Sequence, residues 1–240
     1  MKSVSLGTRR YDHIFFDLDH TLWDFDANSR ETLQDLYLEL GLAARGIETF
    51  EQFHDTYYHY NQLFWDRFRK GYINREELRW KRMWRTLTDF RIMDEGLAKA
   101  MSERYLEILP TKKRLFDDTI EVLDYLTGKG YPMHLITNGF EQTQHAKLRH
   151  SGIGHYFIHV ITSEAAGIMK PHREIFTYAM EKAGTTPDRC IMIGDTLDAD
   201  IVGARDAGID TVYYNPAVPP RDGIVPTYVI ERLSGLRKLL

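Results

Sequence analysis

Two hundred and forty residues suit a single α/β domain, or a core domain with a second one inserted. Hydrophobic residues at 43% and charged residues at 28% give a chain that can bury a core and stay soluble, which excludes a disordered, collagen-like or mini-protein reading. A net charge of -4, from 31 basic and 35 acidic residues, argues against general nucleic-acid binding, and one cysteine, Cys190, excludes an internal disulfide framework and suits a reducing cytosol.

Taken in chain order, Met1 to Arg10 carries Lys2, Arg9 and Arg10 with no apolar stretch behind them, unlike a secretory leader. No apolar run approaches the roughly 20 residues that cross a bilayer. A cytoplasmic protein with neither a membrane nor a nucleic-acid partner is expected. His13–Leu18 is the first short apolar run and reads as a strand buried on both faces. From Trp23 to Leu109 no convincing strand follows. Leu33, Leu36, Tyr37 and Leu40, and then Trp80, Met83, Trp84 and Leu87, recur at helical spacing. The stretch is too long for an ordinary crossover and predicts an inserted all-helical domain, 23–109, over the strand ends.

After it, strand and helix alternate. Met133–Thr137, Ile158–Thr162, Cys190–Gly194 and Thr211–Tyr214 read as strands, with Tyr228–Ile230 a weaker one. Asp117–Thr127, Gln142–His150, Arg173–Lys182 and Leu197–Ala207 read as helices, trailed by Gly128, Gly152, Gly184 and Gly208 as left-handed caps. Such alternation implies right-handed crossovers and a doubly wound parallel sheet, built from 1–22 and 110–240.

The chemistry gathers where such sheets present it, at the carboxyl ends of the strands. Asp17-Leu18-Asp19-His20-Thr21 closes the first strand and Thr137-Asn138-Gly139 the second. Lys170-Pro171 opens a helix, and Gly194-Asp195 closes a further strand ahead of Asp198 and Asp200. This set suits phosphoryl transfer to a carboxylate. Asp17 is the nucleophile, and it approaches a phosphate dianion only if charge is neutralised by a hard cation with oxygen ligands, which Asp17 and Asp195 can supply. Lys170 adds fixed positive charge, and Thr137 and Asn138 can donate hydrogen bonds to the transferring group. Asp19 can protonate the leaving oxygen and then activate water. Each residue alone has a plainer reading: aspartates end strands and cap turns, Asn138-Gly139 is a common turn, Pro171 is a plausible first helical residue, and Thr196 is in part a helix N-cap.

Four ordered motifs, Asp17-x-Asp19-x-Thr21, Thr137-Asn138, Lys170-Pro171 and Gly194-Asp195-x-x-x-x-Asp200, resemble the haloacid dehalogenase superfamily. The resemblance implies a Rossmann-like core, Mg²⁺ as cofactor, a phosphoaspartate on Asp17 and a metal ligand from the Asp19 backbone carbonyl. It gives Asp200 a metal-water or orienting role, and Asp198 falls on no position of the pattern. Thr21 and Thr137 lie 116 positions apart, Thr137 and Lys170 only 33, so the insertion follows the first motif, as in members with a helical C1-type cap. An acid at Asp19 favours a phosphatase over a dehalogenase, because cleaving a C–halogen bond requires no leaving-group proton.

Ile136-Thr137-Asn138-Gly139-Phe140, Ser163-Glu164, Gly194-Asp195-Thr196 and Asp200-Ile201, with Asn61, Trp65, Gly71, Ile73 and Leu78 in the helical block, are similar to the noncanonical pyrimidine 5′-nucleotidase family. That implies removal of the 5′-phosphate from pyrimidine nucleoside monophosphates. A sugar-phosphate phosphatase, a phosphomutase, and a non-catalytic phosphate-binding protein stand as alternatives, as do a monomer and a homodimer. Phe64 or Trp65 is the candidate for stacking a base, while Trp80 and Trp84 read as core between helices. The basic run from Arg67 to Arg85 reads as a solvated face, or as a surface steering anionic substrates. Ten histidines show no metal-binding spacing, and Cys190 reads as an inert buried hydrophobe.

Overall fold

The computed structural model of the protein describes residues 10–215 and 223–240; Lys2 and Arg9, weighed above as part of a possible leader, lie outside them. The chain forms two compact units, residues 1–25 with 114–240, and residues 26–113. Among the described residues no helix is long and apolar enough to cross a membrane.

In the first unit, β1 (His13–Phe16), β2 (Met133–Thr137), β3 (Phe157–Thr162), β4 (Cys190–Gly194), β5 (Asp210–Tyr214) and β6 (Tyr228–Ile230) form one sheet, ordered β3-β2-β1-β4-β5-β6. Every neighbouring pair is parallel. The order reverses at β1, with β2 on one side and β4 on the other, which opens a crevice at the strand ends. Strands β2 and β4 are buried at every position, as continuous apolar runs covered on both faces should be. Phe15, Ile136 and Met192 pack on one face against Ile175, Phe176 and Ala179. This is the doubly wound, Rossmann-like architecture.

The second unit is helical: α1 (Phe25–Glu39), α2 (Phe50–Arg69), α3 (Arg75–Asp89) and α4 (Glu95–Ile108). Thr49 with Gln52 and Asn74 with Glu77 form reciprocal capping boxes, and Asp94 accepts from the Leu97 N–H, so three of these helices start where a side chain satisfies their free amides. The rest of the first unit supplies α5 (Thr119–Gly128), α6 (Glu141–Ser151), α7 (Ser163–Ala166), α8 (Arg173–Ala183) and α9 (Gly203–Asp206).

Several sequence expectations need correction. β1 stops at Phe16, not Leu18: the Asp17 N–H still reaches the Ile193 carbonyl at 2.9 Å, and the chain then curls so that the Leu18 carbonyl accepts from Leu22 and Trp23. Gly152, Gly184 and Gly208 take the left-handed conformation, but Gly128 is the last residue of α5 and Gly130 takes that role. Pro171 stands two residues ahead of α8, not at its first position. Leu197–Val202 is a π-helical turn and only Gly203–Asp206 is α-helical. There the Thr196 carbonyl accepts from both Asp200 and Ile201, a widened turn of the kind found at functional sites. Trp80 and Trp84 are half-buried rather than core, with rings 6.3 Å apart and the Lys99 ammonium 5.1 Å from Trp80.

Candidate active site

The switch in strand order brings four loops together, and their side chains meet. Lys170, 2% exposed, places its ammonium 2.5 Å from Asp17 Oδ1 and 2.6 Å from Asp200 Oδ1. Asp17, Asp195 and Asp200 each offer a carboxylate oxygen within 4.8 Å of the others. Three carboxylates and one ammonium carry a net charge of -2 when ionised, with oxygen as the only ligand atom. That donor set fits a hard divalent cation such as Mg²⁺, which returns the cluster to neutrality.

The electrostatics follow from burial. Asp17 is raised to about 7, chiefly because burial penalises its charged form; Lys170 opposes the shift, and Asp200 and Asp19 add to it. Asp195 is raised to about 9 by burial and then by the Asp200 and Asp17 charges. Burial alone would lower Lys170, but the Asp17 and Asp200 carboxylates outweigh it and hold the ammonium above the ordinary lysine range.

Backbone details aim these groups. His20, between Asp19 and Thr21, has a positive φ of 63°, and its N–H donates to the Trp23 carbonyl at 3.0 Å, closing the loop that carries both aspartates. Thr21, fully buried, donates to Asp195 Oδ1 at 3.4 Å. Gly194 has no side chain because the Asp200 carboxylate lies where a Cβ would stand. Asp200 Oδ2 accepts the Thr196 N–H at 3.0 Å and Oδ1 accepts from Lys170, so both of its oxygens are engaged. Thr196 occupies the N-cap position, yet its hydroxyl makes no capping bond. Asp198 is exposed.

Asn138 makes contacts that the sequence did not suggest. Its amide donates to the Lys170 carbonyl at 2.9 Å and accepts the Lys170 N–H at 2.8 Å. Each end of the side chain thereby holds the Lys170 backbone, with a second N–H of the amide left over. Thr137 is buried beside it, and its hydroxyl oxygen accepts from the Gly139 N–H at 3.1 Å and from Gln144 Nε2 at 2.6 Å.

Two residues of the site were missed in the sequence. Lys147, 2% exposed, places its ammonium 2.5 Å from Asp19 Oδ1, and Gln144, fully buried, donates to Asp19 Oδ2 at 3.0 Å. Both lie on α6, three residues apart, at positions where its helical period predicts apolar residues. Polar side chains on the buried stripe of a helix that follows a motif were the available signal.

In the helical unit, Phe64 is enclosed at 4% exposure, with the Arg67 guanidinium 5.7 Å from its ring. Trp65 is half-buried and meets Phe68 edge to face. The basic run is not uniformly a solvated face: Lys70 pairs with Asp66 and Lys81 with Glu77, but Arg82 is buried. Cys190 is buried and its thiol is pushed up to about 11, so it stays protonated.

A doubly wound core with a helical unit inserted after the first strand, and acidic loops converging at the switch point, defines a class of hydrolase. The family model for haloacid dehalogenase-like hydrolases matches residues 11–208, and the chain belongs to that family. Among relatives, the pyrimidine 5′-nucleotidase YjjG of Escherichia coli is 32% identical, over 96% of this chain and 98% of its own. The pyrimidine 5′-nucleotidase PynA of Streptococcus pneumoniae is 32% identical, over 86% of this chain and 84% of its own. Among solved structures, YfnB of Bacillus subtilis, solved bound to magnesium, superposes with a TM-score of 0.87 at 29% identity, covering 97% of this chain and 99% of that one.

Proposed function

We propose that the protein is a Mg²⁺-dependent phosphomonoesterase that works through a phosphoaspartate on Asp17 and acts on pyrimidine nucleoside 5′-monophosphates. The observation that carries the reading is the junction of Asp17, Lys170 and Asp200, all buried, with the half-buried Asp195, and with Asp19 two residues from Asp17. A buried aspartate held by a lysine beside two further carboxylates suits a nucleophile paired with a cation site better than it suits a structural ion pair. Asp17, Asp195 and the Asp19 backbone would hold Mg²⁺, with Asp200 orienting the set. When bound, the ion supplies charge neutralisation for the phosphoryl oxygens.

The chain's own residues do the rest. An Asp17 oxygen forms the bond to phosphorus as the P–O ester bond breaks, and the departing alkoxide takes a proton from Asp19. Asp19, now a carboxylate, accepts a proton from the water that attacks the phosphoaspartate, which releases phosphate and restores Asp17. Lys170 and the Thr137 hydroxyl hold phosphoryl oxygens, and Asn138 positions Lys170. The substrate class rests on the nucleotidase relatives and on the helical-unit residues noted in the sequence. Trp65, less enclosed than Phe64, is the residue we assign to stacking the base.

Phosphate release with Mg²⁺ across nucleoside monophosphates and sugar phosphates tests this, with Asp17→Asn as the blank. Preference for uridine or thymidine monophosphates, and no turnover by the variant, is expected. Preference for a sugar phosphate would overturn the substrate, and turnover by Asp17→Asn would overturn the covalent mechanism.

A further inference from the structure

The phosphatase reading leaves unexplained why α6 turns two polar side chains into the core. A buried amide and a buried ammonium each cost free energy unless fully partnered. Lys147 Nζ is 2.5 Å from Asp19 Oδ1 and 4.4 Å from the centre of the Trp23 ring, so the ammonium sits between a carboxylate and an aromatic face. Gln144 bridges two active-site groups, donating to Asp19 Oδ2 and to Thr137 Oγ1. Its own carbonyl oxygen is buried with no hydrogen-bond partner.

The Gln144 amide turns its NH₂, not its carbonyl, toward Asp19, donating to Oδ2 while the Lys147 ammonium donates to Oδ1. The same NH₂ faces Thr137, whose hydroxyl oxygen therefore accepts from Gln144 while it also accepts from Gly139. Both lone pairs of that oxygen are then occupied, and its O–H proton points away from α6. Among the described residues it donates to none. The Gly139 position fits this account, since a Cβ there would overlap the Gln144 side chain.

We propose that Gln144 and Lys147 are positioning residues for phosphoryl transfer: Lys147 fixes the Asp19 carboxylate, and Gln144 ties Asp19 to Thr137 and turns the Thr137 hydroxyl proton toward the phosphoryl group. The inference rests on the phosphatase reading and adds two functional residues to it. Their roles separate by ester. Asp19 matters when the leaving oxygen requires a proton, as in an alkyl phosphate, and far less for p-nitrophenyl phosphate, whose phenolate leaves as a stable anion. Thr137 touches the phosphoryl group itself, so its contribution is the same whichever ester is used.

The test is steady-state kinetics with Mg²⁺ on p-nitrophenyl phosphate and on a nucleoside monophosphate. Lys147→Met should lower kcat on the nucleotide about 100-fold, the lower range for loss of general acid catalysis, and at least ten times less on p-nitrophenyl phosphate. Gln144→Glu, nearly isosteric but without the NH₂ donors, should lower kcat on p-nitrophenyl phosphate about 100-fold, as does loss of a hydrogen-bond donor to a developing anion, and by at least as much on the nucleotide, where Asp19 loses a partner as well. Made on Thr137→Val, it should lower kcat on p-nitrophenyl phosphate by less than a further tenfold, because the hydroxyl it turns is already gone. Equal losses on the two esters for Lys147→Met, full additivity of Gln144→Glu with Thr137→Val, or a change confined to KM would overturn the proposal. If circular dichroism shows Lys147→Met unfolded, Lys147→Arg keeps the charge but displaces Asp19, and the same unequal loss is expected of it. A wild-type protein inactive on both esters would instead refute the phosphatase reading itself.

Discussion

Removing Mg²⁺ should make the stability of the protein fall steeply with pH, and adding it back should flatten that fall. Without a cation, Asp17 and Asp195 are held neutral in the fold, with values raised to about 7 and about 9 chiefly by burial. In the unfolded chain an aspartate ionises near pH 4. Above that pH the unfolded chain therefore binds fewer protons than the native state, and stability falls as pH rises. The contribution of each group is complete below about pH 4 and is lost as pH climbs to its folded value. Between pH 7 and pH 9 Asp195 alone is still titrating, at about 1.4 kcal/mol per pH unit, which amounts to about 2.7 kcal/mol. For a chain of this size that corresponds to a melting temperature roughly 5–10 °C lower at pH 9 than at pH 7 in EDTA. Bound Mg²⁺ favours the ionised carboxylates, so its stabilisation should grow with pH across this window. Thermal melts in EDTA and in 10 mM Mg²⁺ at half-unit pH steps read the difference directly, and every group remote from the site cancels in it. A Mg²⁺ gain that is absent, or equal at pH 7 and pH 9, would refute the assignment of the acidic cluster as a cation site. Asp195→Asn should abolish the dependence over this range.

At the other end of the pH scale, His134 is held near 4 by burial and by the stacked imidazoles of His13 and His159, so its contribution is present above about pH 6.5 and lost as pH falls. Between pH 6.5 and 4.5 this is about 2.7 kcal/mol, and urea midpoints for His134→Phe should decline less than wild type over that interval. Gly194→Ala should drive a methyl into the Asp200 carboxylate, costing about 1–3 kcal/mol of stability and at least tenfold in kcat. A wild-type turnover number for that variant would show that the loop gives way freely. Arg82 is 3% exposed; its guanidinium donates to Asn61 Oδ1 at 2.6 Å, the Tyr57 and Tyr105 rings lie within 6 Å, and no carboxylate among the described residues is in ion-pair range. Arg82→Met should therefore leave the melting temperature unchanged or raise it, because an unpaired buried cation is replaced by an apolar chain of similar length. A drop of several degrees would mean that the aromatic contacts outweigh the desolvation.

The parts of the site legible in the sequence were those written as short-range pattern. Asp17, Asp19 and Asp195 follow strand ends, Lys170 lies shortly ahead of α8 and Asp200 in the turn after β4, and the continuous apolar runs that marked β1, β2 and β4 fixed the strand ends to within two residues. A parallel sheet with its order reversing at β1 then leaves one place for them to meet. What pattern could not show was direction. Asn138 has the right chemistry to donate to a phosphoryl group, but which hydrogen bonds an amide makes depends on what lies opposite. Here that is the backbone of Lys170, 32 residues away.

The same reason hides Gln144, Lys147 and Arg82. Each is a long polar side chain on a helix, and in a sequence such a residue is indistinguishable from a solvated one until the partner across the fold is known. For Lys147 the partner is 128 residues distant at Asp19. The π-helical turn at Leu197–Val202 is a related case. Its residues have ordinary helical propensity, and the widening accompanies the Asp200 carboxylate reaching back to the Thr196 N–H and across to Lys170. Local preference determined the elements, while the long-range satisfaction of buried charge determined which way they point. A site whose chemistry depends on proton direction at Thr137 and carboxylate direction at Asp19 is set by the second of these, and substitutions on α6 should therefore change catalysis although α6 carries none of the four motifs.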